Sequence, residues 1–356
     1  MCGPEPDDIR AAKKKRAGLR AGWIMIFDPK MENDIRAGAA LLKAGETVAF
    51  PTETVYGLGA DASNPLAIQK VFSIKGRPSD HPLIVHIADV TQLDLWAENI
   101  PRVVWRLSAR FWPGPLTLIL PRRREVPKEV TGGQDTVAIR IPDHPVTTAL
   151  LQAFGGGIVG PSANMFGRVS PTTAQHVREG LGSKVGMILD GGPCRVGVES
   201  TILSLLDGQA VLLRPGGLSV LELEDALGQP IFMNSGAQKV RAPGMLASHY
   251  SPLTSLEVLH RDALSSRVLE MVSQGKKIAV LKLGDDEKGF EIHKATTICM
   301  PSSPVEYGRE LYSTLHRLDR GEFDCILLES LPDEAEWMAV NDRVRRAAHV
   351  FRMVLE

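Results

Sequence analysis

Cysteine is scarce in this chain of 356 residues: Cys2, Cys194, Cys299 and Cys325 are all there are, and they lie far apart. No Cys-x-x-Cys occurs, which excludes the common zinc frameworks, and four scattered thiols do not make a disulfide scaffold. Reduced thiols and a cytoplasmic location are the expectation. An excess of one charge is also missing, with 41 Lys and Arg against 42 Asp and Glu. Net charge therefore argues for neither a nucleic-acid nor a membrane partner, and any contact with RNA has to come from a local patch. No apolar run reaches the length of a membrane-spanning helix, which excludes a helical span. There is no internal repeat, no low-complexity tract and no G-x-x-x-x-G-K-[ST], so any ATP is held without a P-loop.

Gly155-Gly-Gly-Ile-Val-Gly160 does fit G-x-G-x-x-G letter for letter. A dinucleotide fingerprint follows a strand and opens a helix. Here a helical pattern, 145–154, precedes it, and the motif's own residues make the next strand. We read a helix C-cap and a tight turn.

The first 24 residues carry Lys13-Lys-Lys-Arg16 and Arg20 with no apolar core behind them, so they are no secretory signal. Their low apolar content points to a disordered extension, or to an upstream start with Met25 as the true first residue. From 25 to 230 helical and extended patterns mix. Ile35, Ala39 and Leu42 have helical spacing, and 47–50 reads as a short buried strand. Helices are expected at 66–74, 101–111 and 145–154. Strands are expected at 83–87, 116–120, 136–141, 158–160, 185–189, 201–205 and 210–214. Strands and helices do not alternate regularly, so the fold class is α/β with a mixed, twisted sheet. Residues 231–252, rich in Gly, Pro, Ser and Ala, read as a linker. A smaller α/β domain then fills 253–356, with strands at 256–259, 277–281, 295–300 and 324–328 and helices at 263–273, 305–318 and 335–354.

The most informative stretch is Pro51-Thr-Glu-Thr-Val-Tyr-Gly-Leu-Gly59, a polar loop closing a buried strand, where open α/β sheets put ligands. Lys75-Gly-Arg77-Pro-Ser-Asp-His81-Pro-Leu-Ile-Val-His86 follows, and later Gly160-Pro-Ser162-Ala-Asn164. Lys75 and Arg77 could neutralise a polyphosphate, the arginine as a planar fork and the lysine as a point charge, or could simply complement a helix C-terminus. His86 could equally be a satisfied core histidine. Ser162 and Asn164 suit a Pro-initiated turn whatever else they do. Thr136 and Arg140 share one face of a strand, and Arg140, between Ile139 and Ile141, must find an anion.

Together these three segments resemble the YrdC-like family, the threonylcarbamoyl-AMP synthases. The later part resembles its long, Sua5-type form, whose second domain ends in an Asn-Asp-Arg-x-Arg-Arg-Ala-Ala-like stretch, here Asn341 to Ala348. The resemblance spans about residues 25–356. It implies a YrdC-like catalytic domain over 25–230, a linker that closes over the nucleotide, and a smaller, Rossmann-like carboxy-terminal domain. It implies condensation of L-threonine, bicarbonate and ATP, with Mg²⁺ accompanying ATP and no protein metal ligand. It assigns Lys75, Arg77, His81, Thr136, Ser162, Asn164, Ser170, Arg214 and Tyr250 to ATP, the first two as catalytic charges. It assigns Thr54, His86, Arg140, Gly160 and Ser200 to threonine, the arginine on its carboxylate; a structural Asp or Glu is the other partner Arg140 could have. The family linker usually carries a Lys-Tyr-Lys/Arg-like triplet before its His-Tyr; this chain has Leu246-Ala-Ser248 there. The product would pass to a separate transferase for N6-threonylcarbamoyladenosine at position 37 of tRNA, with transient contact to that transferase or to tRNA.

Two rivals bear weighing. A YrdC-like RNA-binding module without synthase activity would have no use for adjoining nucleotide and amino-acid pockets. The carbamoyltransferase of hydrogenase maturation contains a similar domain, but carries Cys-x-x-Cys zinc modules that are absent here.

Overall fold

The computed structural model describes residues 27–233, 240–245, 249–284 and 295–348. The extension 1–24 and the triplet Leu246-Ala-Ser248 lie outside the described residues. Asp28 caps the first described helix, α1 (Pro29–Lys43), by accepting from the Met31 N–H at 2.8 Å. Ile35, Ala39 and Leu42 form its buried face, as their spacing predicts. β1 (Val48–Phe50), β2 (Gly57–Asp61), α2 (Pro65–Lys75), β3 (Ile84–His86), α3 (Arg102–Phe111), β4 (Leu116–Pro121), α4 (Lys128–Thr131) and β5 (Thr136–Arg140) follow. Then come α5 (Pro145–Phe154), β6 (Ile158–Val159), α6 (Ala174–Leu181), β7 (Met187–Ile188), β8 (Thr201–Ser204), β9 (Val211–Arg214), α7 (Val220–Leu227) and β10 (Phe232–Met233). The ten strands make one mixed sheet in the order β10-β9-β8-β4-β5-β3-β6-β2-β1-β7.

Two local outcomes bear on function. Gly155 caps α5 in the left-handed conformation, so the glycine run ends a helix instead of opening one. The segment 51–59 is a loop only in its first half; from Gly57 the chain runs back antiparallel to β1. Its glycines serve packing: a Cβ at Gly57 or Gly59 would stand 2.8 or 2.9 Å from the Phe50 ring. Thr52 shapes the turn before them, accepting from the Thr54 and Val55 N–H groups at 3.1 and 3.2 Å.

The second sheet is smaller and wholly parallel. β11 (Ser255–Leu259), α8 (Arg261–Ser273), β12 (Ile278–Leu283), β13 (Thr296–Met300), α9 (Pro304–Asp319), β14 (Cys325–Glu329) and α10 (Met338–Ala347) give the order β11-β14-β12-β13. The two units share apolar packing. Val55 and Val169 of the first join one buried cluster with Tyr250, Tyr307, Leu311 and Tyr312. A Cβ at Gly197, whose φ is +79°, would lie 2.5 Å from the Cα of Arg309, so backbone meets backbone there. The rings of His176 and His316 stack across the same seam at 4.0 Å.

Candidate functional site

One cavity of about 50 Å³ is lined by Thr54, Arg77, His86, Arg140, Ser200 and Arg214 among others. His86, Arg140 and Arg214 are the last residues of β3, β5 and β9, Gly160 follows β6, and Ser200 precedes β8. Gly160, at the end of β6, makes the space: a Cβ there would stand 2.8 Å from the His86 ring and 2.9 Å from Phe50. Pro243, Gly244, His249 and Tyr250 close the cavity from the linker side.

The electrostatics centre on buried cations. Lys75, at the last turn of α2, is 2% exposed and donates to the carbonyls of Ser162 at 2.5 Å and Asn164 at 2.6 Å. Burial and the neighbouring Arg77 hold its ammonium well below the ordinary lysine range. Arg77 lies just past Gly76, the left-handed cap of α2. It donates to the Pro82 carbonyl at 2.9 Å, and its Nε has no partner. Burial pushes its pKa down to about 10. Arg214 donates to the carbonyls of Ser200 at 2.8 Å and Pro243 at 3.0 Å and to the Ser200 hydroxyl at 3.2 Å. Among the described residues no acidic side chain forms an ion pair with Lys75, Arg77 or Arg214. Three buried cations so placed favour an anion entering between them.

Arg140 is different. Its Nη2 lies 2.6 Å from Oε1 of Glu53, both side chains buried, and its Nη1 donates to Thr54 Oγ1 at 3.0 Å. The structural carboxylate weighed for Arg140 thus exists, in a residue of the Pro51 loop. Ser200 Oγ lies 2.8 Å from Thr117 Oγ1. His86 stands edge-on to Phe50 with its Nδ1 unpartnered. Burial and Arg140 push its pKa down to about 3, so the imidazole is neutral.

Of the fourteen residues assigned from sequence, the cavity wall holds Thr54, Arg77, His86, Arg140, Gly160, Ser162, Ser200, Arg214 and Tyr250. Lys75 stands one layer behind, under the Ser162–Asn164 turn. Asn164 donates to the Met165 and Arg168 carbonyls at 2.8 Å each, and its buried Oδ1 has no partner. His81 sits 5.4 Å from the Phe166 ring, at the rim of the same turn. Thr136 opens β5, at the opposite end of that strand from Arg140. Ser170 donates to Glu199 at 2.6 Å. Sequence reasoning gave no role to Glu53, His249 or Glu199. Glu199 was visible only as the residue before Ser200, with no signal for its partners far along the chain.

Acid should destabilise this site. Burial holds the neutral form of His249, pushing its pKa down to about 3, as for His86. Burial alone would raise the Glu199 carboxyl, but Arg343 and Arg214 overcome it and hold it at about 2. All three folded-state values lie below the ordinary ones of 6.5 and 4.5. The unfolded chain therefore binds more protons in between, and stability falls as pH drops, first below about 6.5 through the histidines and then below about 4.5 through Glu199. Melting temperature should be level above neutrality and decline steadily toward pH 4. A melting temperature that holds level or rises down to pH 4 contradicts this.

The family model described as "Telomere recombination" matches residues 40–216, and that of the "Threonylcarbamoyl-AMP synthase, C-terminal domain" matches 218–349. The threonylcarbamoyl-AMP synthase of Pyrococcus abyssi is 40% identical over 324 residues, 88% of this chain and 94% of its own length. That of Bacillus subtilis is 41% identical over 336 residues, 92% and 96%. The solved structure of P. abyssi Sua5 complexed with L-threonine superposes with a TM-score of 0.82 at 39% identity, covering 89% of this chain and 94% of that one.

Proposed function

The chain belongs to the threonylcarbamoyl-AMP synthases of the long, Sua5 type, and from that premise we propose how its own residues run the reaction. The enzyme joins L-threonine, bicarbonate and ATP as threonylcarbamoyl-AMP, pyrophosphate and water. Bicarbonate takes up a proton and breaks a C–O bond to give CO₂ and water; the threonine amine adds to the CO₂ and releases a proton, giving a carbamate. A carbamate oxygen attacks the α-phosphorus, the bond to the bridging oxygen breaks, and pyrophosphate leaves. No side-chain nucleophile is needed, so the protein's work is positioning and charge stabilisation.

The observation that carries the site assignment is the set of three buried cations, Lys75, Arg77 and Arg214, none in an ion pair with a carboxylate among the described residues; Glu199, near Arg214, is taken by Arg343. Arg77 and Arg214 face the cavity and suit the phosphates, whose charge shifts to pyrophosphate as it leaves. Lys75 reaches the same anion through the Ser162–Asn164 turn that it holds, or directly when that turn opens. Threonine, which P. abyssi Sua5 binds, fits between Thr54, His86, Arg140 and Ser200. Arg140 keeps Glu53 on Nη2 and the Gly114 carbonyl on Nε, so the amino-acid carboxylate would meet it at Nη1, beside Thr54. Mg²⁺ would come with ATP and offset phosphate charge there. The nearest carboxylates, Glu53 and Glu199, are each held by an arginine, and no group of three His, Cys, Asp or Glu among the described residues could hold a metal.

A cavity of about 50 Å³ holds a few waters. ATP therefore enters only if Pro243, Gly244, His249 and Tyr250 withdraw. We read the linker as a lid that then closes and keeps water from the mixed anhydride. The product would go to a separate transferase acting on tRNA. No helix among the described residues is long and apolar enough to cross a membrane.

The test is direct. Purified protein with ATP, bicarbonate and each amino acid in turn should give an adenylate, read by mass spectrometry, with threonine preferred. Serine lacks only the methyl and should lose roughly 1–3 kcal/mol of selectivity in kcat/KM. Valine keeps the methyl, lacks the hydroxyl, and should be rejected more strongly. Equal use of the three would contradict the threonine assignment. ATP binding without any threonine-dependent pyrophosphate release would favour the RNA-binding alternative.

A further inference from the structure

Arg343 belongs to α10 in the second unit, yet its side chain is wholly buried against the first. Its Nε donates to Glu199 Oε2 at 2.6 Å and its Nη2 to the Pro215 carbonyl at 3.0 Å. Its Nη1 donates to Asp342 at 2.6 Å. Its guanidinium carbon lies 5.1 Å from the centre of the Tyr250 ring. Glu199 also accepts from Tyr312 at 3.1 Å and Ser170 at 2.6 Å. A contact serving only to dock two units could sit anywhere along their seam. This one ends on the residue before Ser200, the residue after Arg214, and the face of Tyr250.

Tyr250 is the telling partner. Its φ of +65° is one that a non-glycine residue rarely adopts, so its surroundings must hold it. They are the His249 ring at 4.2 Å, the Tyr312 ring at 5.8 Å and the Arg343 fork. Its hydroxyl is buried, has no partner and borders the cavity beside Gly244. We propose that Arg343 is a positioning residue of the synthase: from the second unit it holds Tyr250 over the cavity and fixes the Glu199–Ser200 and Arg214–Pro215 backbones beneath it. The proposal rests on the lid reading and gives the second unit a part in catalysis.

Steady-state kinetics of Arg343→Ala, Arg343→Lys, Tyr250→Ala and the Arg343→Ala/Tyr250→Ala pair test it, with Arg320→Ala as control. Arg320 pairs with Glu179 across the same seam at 3.2 Å, on the surface, and neither residue lines the cavity. Arg343→Ala should raise KM for ATP about tenfold while kcat falls less, and in the Tyr250→Ala background should add no more than about twofold. Arg343→Lys keeps a charge but not the fork, so it should keep the melting temperature and still show the raised KM. Arg320→Ala should change neither constant. Should Arg343→Ala not fold, Arg343→Lys and Tyr312→Phe carry the test. A raised KM in Tyr250→Ala with an unchanged KM in the Arg343 variants would overturn the proposal and leave the lid standing. An unchanged KM in Tyr250→Ala would remove the lid reading itself, and the proposal with it.

Discussion

Replacing Arg77 by alanine should lower turnover about a hundredfold while leaving the fold intact, because one charge-assisted contact to a developing phosphate charge is worth on the order of 3 kcal/mol. Arg77 suits a clean test. Among the described residues its side chain donates one hydrogen bond, to the Pro82 carbonyl, and otherwise lies over the Phe166 ring at 5.7 Å, so little structure hangs on it. Removing a buried cation with no acidic partner also leaves no stranded carboxylate. Lys75→Ala should lose activity to a similar degree with a different signature. Its ammonium ties down the Ser162 and Asn164 carbonyls, so the loss should come with a lower melting temperature and a raised KM for ATP. Circular dichroism and pyrophosphate release with saturating threonine separate the two. Near-parental turnover in both variants would remove the phosphate assignment.

Arg140→Ala should be costly for another reason. Glu53 is 1% exposed, and Arg140 is its ion-pair partner. Truncating one side of a buried pair leaves the other charge desolvated, at a cost of about 3–5 kcal/mol. Urea denaturation should show that loss as a lower midpoint with an unchanged slope. Replacing both at once, Arg140→Met with Glu53→Leu, should recover most of the stability and none of the threonine-dependent activity. If Arg140→Ala denatures like the parent, the pair does not support the fold. If the double variant still uses threonine, the carboxylate assignment of Arg140 is wrong.

What could be read from the chain followed local pattern. The strands at 116–120, 136–141 and 256–259 are apolar runs with turn residues at their ends, and each became a strand. β2 was misread because Gly57, Gly59 and Ala60 have neither alternation nor β-branched side chains; their strand is imposed by Phe50 lying on them. α7 went unread although Ser219 and Glu222 make a capping box, a signal present in the sequence. α6 was missed for a better reason, since its apolar positions are few and its turns polar. In the site, the residues belonging to short motifs could be named in advance. Their partners could not: Glu53 meets Arg140, and Glu199 meets Arg343, across stretches of chain in which no local rule operates.

The order of strands in the large sheet has a consequence for how the molecule comes into being. β3 lies between β5 and β6, and β4 pairs with β8. β4 and β5 can pair as neighbours along the chain, but β3 must wait for β5 and β6, and β4 for β8, before the middle is complete. Loop closures of that kind slow folding and leave strand edges exposed meanwhile. On the ribosome, residues through β9 must emerge before Arg77 and Arg214 share a wall, and α10 must follow before Glu199 meets Arg343. The cavity is thus among the last features to form during synthesis, and a chain cut short carries its strands without its chemistry.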